Sequence, residues 1–98
     1  MAIDELPAGY HGVHPAHPKA GGERLEWREC HPRAIRIRVL EHTCECQDIV
    51  YELCQAGGLL FVRRHYRAAD GAVVTESEWL RAVPARRLWT NILLGHVR

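Results

Sequence analysis

Residues 34–79 read AIRIRVLEHTCECQDIVYELCQAGGLLFVRRHYRAADGAVVTESEW. Apolar and polar side chains alternate through this stretch, a period-two pattern that suits half-buried strands. Gly57-Gly58 and Asp70-Gly71 interrupt the alternation, and both are two-residue hairpin turns that tolerate positive φ. The reading is four consecutive strands over 34–42, 48–55, 59–67 and 72–79.

The charges supply a register. A turn at Gly57-Gly58 sets residue 52 against 63 and 53 against 62. A turn at Asp70-Gly71 sets 63 against 78 and 65 against 76. A five-residue loop over 43–47 sets 38 against 52. One row across the sheet then reads Arg38, Glu52, Arg63, Glu78, with His65 opposite Glu76 in the next. Such opposite-charge neighbours stabilise a sheet by a few tenths of a kcal/mol each. The other face collects Ile35, Ile37, Val39, Ile49, Tyr51, Leu53, Leu60, Val62 and Trp79. A one-residue slip would scramble both patterns.

Outward from the meander, Pro84 suits the first turn of a helix and Gly95 the position just past its end. Leu88, Trp89, Ile92 and Leu93 fall on one stripe between them. Residues 24–30 suit an edge strand or a short helix, ended by His31-Pro32. Residues 1–22 hold few large apolar side chains and read as a flexible, extended arm ahead of a single domain over 23–98. His11, His14 and His17 recur every third residue beside prolines. In polyproline II they would share one face, where a divalent metal could bridge them. The fold class is α+β: a four-stranded antiparallel meander, one C-terminal helix on one face, and an extended N-terminal arm.

Composition narrows the function. The chain has 98 residues, with 13 basic against 12 acidic side chains. A near-neutral balance removes the strongest electrostatic argument for nucleic acid or an anionic membrane. No segment reaches the ~18 apolar residues of a membrane helix, and no signal peptide is visible. The four cysteines are therefore expected as thiols or metal ligands in a cytoplasmic protein.

Three readings of the site follow. The first is a non-catalytic interaction or regulatory module, without a cofactor, that binds a protein partner and self-associates as a homodimer. A helix of about eleven residues covers only part of a four-stranded sheet. Tyr51, Leu60, Val62, Tyr66 and Trp79 are then the expected interface. The second is zinc. His42, Cys44 and Cys46 lie within five residues. Cys30 and Cys54 fall at the opposite sheet end, roughly 20 Å away or more. His65 arrives at the near end, so His42, Cys44, Cys46 and His65 form the expected Cys2His2 set. The third is nucleic-acid binding through Arg36, Arg38, Arg63 and Arg67, weakened by the interleaved Glu52, Glu76 and Glu78. Catalysis is not expected. No phosphate loop, nucleophile elbow or H-E-x-x-H occurs, though a Cys–His pair such as Cys54 with His31 is conceivable.

Overall fold

A computed structural model describes residues 12–30 and 35–98. His11 and His31, both singled out in the sequence, lie outside the described residues. Among the described residues, five strands and one helix follow in order: β1 (Arg28–Glu29), β2 (Ile37–His42), β3 (Ile49–Ala56), β4 (Leu59–Ala68), β5 (Gly71–Glu76) and α1 (Ala82–Leu93). The sheet is antiparallel, ordered β1-β5-β4-β3-β2. The architecture is α+β, as the alternation implies. The sheet has five strands rather than four because Arg28 and Glu29 add an edge to β5, pairing with Glu76 and Thr75.

The Gly57-Gly58 hairpin has the expected register: Glu52 faces Arg63 and Leu53 faces Val62. The next hairpin turns one residue earlier. Ala68 pairs with Gly71, so the turn is Ala69-Asp70 and Arg63 meets Glu76, not Glu78. His65 meets Val74 instead of Glu76. This two-residue displacement leaves the paired β4 and β5 side chains on their expected faces; Trp79, expected in the last strand, lies past Glu76 and packs on the opposite face. At the other edge the displacement is odd. Arg38 faces Gln55 and Val39 faces Cys54, until a bulge between Val39 and Glu41 restores parity, so that His42 faces Glu52. Ile37 and Val39 therefore turn away from the helix, and Leu40 packs toward it.

Each face consequently carries a buried cluster. Under α1 lie Tyr51, Leu53, Leu60 and Val62, packed with Ala85, Trp89, Ile92 and Val97. Leu25 and Trp27 extend this cover past the helix. The Trp27 ring sits 5.9 Å from that of Tyr51 and under the Arg64 guanidinium at 4.6 Å. The opposite face carries a second, smaller core of Cys54, Ala56 and Phe61, joined by Ile37 and Trp79.

The helix ends as its sequence suggests. Gly95, at φ 76, follows the Leu94 cap, and Gly95 N–H donates to the Ile92 carbonyl. His96 N–H donates to the Asn91 carbonyl, completing a Schellman stop. Residues 12–19 run without helix or strand along the domain, and a turn over 19–22 follows, in which Gly22 N–H donates to Lys19 O. Ala16 N–H donates to Leu93 O and Lys19 N–H to Gly95 O. Val13 bridges Thr43 in parallel, and Glu23 bridges Val97. No helix among the described residues is long and apolar enough to cross a membrane.

Candidate metal centre

The β2–β3 connection is held at its base. Thr43 is fully buried; its N–H donates to the Tyr51 carbonyl and its Oγ1 accepts from Tyr51 N–H, each at 2.9 Å. Beyond it, Gln47 N–H donates to the Cys44 carbonyl at 3.4 Å, folding Cys44–Gln47 into a turn. That turn places both thiols of the C-x-C pair together, Sγ to Sγ at 3.2 Å. Cys44 is buried and Cys46 exposed.

The histidine that reaches this pair comes from the arm. Cys44 N–H donates to the Val13 carbonyl at 2.8 Å, which brings the next residue, His14, alongside. His14 Nε2 lies 3.4 Å from Cys46 Sγ, and Gln47 Nε2 donates to the same sulfur at 3.3 Å. One nitrogen and two sulfurs thus lie within 4.8 Å of one another. Ligands on a tetrahedral zinc, with bonds of about 2.0–2.3 Å, are separated by about 3.5 Å. Small side-chain adjustments would seat an ion between them.

Of the four ligands expected from the sequence, the fold brings Cys44 and Cys46 together and leaves His42 and His65 elsewhere. His42 Nδ1 contacts its neighbour's carbonyl, Thr43 O, at 2.9 Å. His65 Nε2 is held by Glu52 Oε1 at 2.5 Å. Of the arm histidines, the two described ones, His14 and His17, are not brought to one site. His14 sits beside Cys46, while the chain around His17 has already reached Gly95 at the helix end. The tract was a visible signal. What the sequence lacks is any local sign that the arm returns to the 43–47 loop, because the Val13–Thr43 bridge is non-local.

The other expected sites are placed as follows. Tyr51, Leu60 and Val62 are 7%, 4% and 0% exposed, covered by α1, Trp27 and Val97, so they present no surface to a partner. Tyr66 is exposed, and Trp79 stacks on Phe61 on the opposite face. Arg38 projects to the helix side with Gln55, whereas Arg63 and Arg67 project to the other, so the arginines make no common platform. Arg36 is exposed and precedes β2. Cys54 is fully buried, and burial pushes its thiol up to about 11, a poor nucleophile.

Away from the helix, one charged row crosses all five strands: His42, Glu52, Arg63, Glu76, Arg28. Arg63 Nε donates to Glu52 Oε1 at 2.8 Å. Burial pushes the Glu52 carboxyl up, but hydrogen bonds and charge from Arg63 and His65 outweigh it and hold it below the usual range. A depressed folded-state pKa stabilises the fold above the ordinary carboxylate pKa, and that stability is lost as pH falls through the lowered value. Glu52→Gln is therefore expected to cost about 2 kcal/mol near neutral pH, by leaving Arg63 half-buried with a neutral partner. The variant should also lose stability less steeply on acidification; urea titrations at several pH values measure both. An unchanged acid slope would show that Glu52 does not carry it.

Comparison of the chain with protein-family models, with curated proteins and with solved structures finds no match to any of them.

Proposed function

We propose that this chain is a small non-catalytic module that binds one soft divalent cation, zinc by its donor set, through His14, Cys44 and Cys46. The observation that supports the reading is the convergence of an imidazole and two thiols from segments 32 positions apart in sequence. Hard cations such as Mg²⁺ and Ca²⁺ prefer oxygen, whereas thiolate with imidazole suits zinc. Three protein ligands leave a tetrahedral ion one position for water or a further donor. The ion would tie the N-terminal arm to the β2–β3 turn, so its binding energy would add to the stability of the fold. Thiolate ligands call for a reducing compartment, consistent with a cytoplasmic protein.

The test is a zinc titration of protein without a histidine tag, in competition with a chromogenic chelator, alongside native mass spectrometry. One zinc per chain is expected. Cys44→Ser and Cys46→Ser should each weaken binding by about two orders of magnitude, and His14→Ala by about one. A chain that takes up no zinc, or whose affinity survives both cysteine substitutions, overturns the reading.

A further inference from the structure

We propose that Cys44 and Cys46 are a peroxide-sensitive dithiol, and that their disulfide cancels the metal site. The second half rests on the zinc reading; the first does not. Three features of the turn carry it. The two sulfurs are already in contact at 3.2 Å, and the Cys44–Gln47 turn holds them on one side of the chain. Their burial differs: Cys46 is open to solvent and Cys44 is buried. The exposed sulfur is also positioned from both sides, by the Gln47 amide at 3.3 Å and the His14 imidazole at 3.4 Å. An oxidant reaches Cys46 first, and the thiol that can resolve the product is behind it.

The co-reactant is a hydroperoxide, ROOH. Cys46 sulfur attacks the peroxide oxygen, the O–O bond breaks, and Cys46–SOH forms with release of ROH. Cys44 sulfur then attacks the Cys46 sulfur, the S–OH bond breaks, and water leaves with the Cys44 proton. Two thiols are oxidised by two electrons and one peroxide is reduced. Buried Cys54, whose thiol burial pushes up, is a poor competitor. The disulfide has no thiolate to offer a metal, so oxidation removes two of the three ligands at once and leaves His14 as the last one.

The experiment treats metal-free and zinc-loaded full-length protein with hydrogen peroxide. It follows intact mass, free thiols and zinc release to a chromogenic chelator. Metal-free protein should lose about 2 Da without forming dimers. Cleavage after Glu45 separates peptides 42–45 and 46–52, which should stay joined until reduced. Cys44→Ser should instead accumulate Cys46 sulfenic and then sulfinic acid, a gain of about 32 Da for the latter. Cys46→Ser should resist. Zinc-loaded protein should release its zinc in step with the loss of mass. Sulfinic acid on Cys46 of the unsubstituted chain, a disulfide between two chains, or unreacted thiols would overturn the dithiol. Disulfide formation in a chain that takes up no zinc would sustain the dithiol and overturn the zinc reading. Disulfide formation with zinc retained would overturn their coupling.

Discussion

Phe61→Ala is expected to destabilise the fold by about 4 kcal/mol, more than any other single truncation of the face away from the helix. Phe61 is fully buried and stacks on Trp79 with ring centroids 4.6 Å apart and planes 1° from parallel. Its remaining neighbours are small or slender: Cys54, Ala56 and Ile37. Nothing among them can swing in to fill the space left by a phenyl ring. The penalty should therefore combine the lost apolar transfer with most of the cavity cost. A small domain is stable by only about 5–15 kcal/mol, so this is a large share of the total. Urea unfolding measures it as a lower midpoint at constant slope. Phe61→Leu should cost no more than about 1.5 kcal/mol, since it keeps most of the volume. A loss below about 1 kcal/mol in the alanine variant would mean that this face is not a core.

That second core marks where the sequence reading ran short. The alternation, the Gly57-Gly58 turn and the Pro84–Gly95 helix all have local causes, and each was legible. The β4–β5 register moved by two residues because Ala69-Asp70 forms the turn, a choice between adjacent dipeptides that either face pattern allows. The β2 register was not legible. It depends on the bulge after Val39 and on Thr43 binding Tyr51, and both involve partners distant in sequence. Ile37 therefore lines the face opposite the helix, and Trp79 joins it there because β5 ends at Glu76 and the alternation does not continue to residue 79. The covering of Tyr51 and Val62 depends on Trp27 and on Val97, the latter held by the bridge to Glu23. The candidate metal centre divides in the same way. Cys44 and Cys46 stand out as a pair because their spacing is local; His14 stands out only within its own tract, and its meeting with them is not legible because only the folded arm brings it there.

Gly95→Ala tests whether arm and centre are one mechanical unit. Gly95 holds φ at 76, and an added Cβ would run into the His17 carbonyl oxygen, with the Ala16 carbonyl 3.2 Å away. Both atoms are arm backbone, not flexible side-chain ends, so the arm must move. The bonds from Ala16 N–H to Leu93 O and from Lys19 N–H to Gly95 O then loosen together. The expected loss is about 3 kcal/mol, part from the left-handed backbone and part from the broken docking. His14 lies just upstream of the displaced segment, so zinc affinity should fall about tenfold although no ligand has changed. Gly21→Ala is the control. It has a similar φ of 77, but its Cβ meets nothing within 4 Å. It should carry only the backbone strain, about 1 kcal/mol, and leave zinc affinity intact. Equal affinities in the two variants would mean that His14 keeps its place without the arm's anchor at the helix end. The centre would then be organised by the Val13–Thr43 bridge and the 44–47 turn alone.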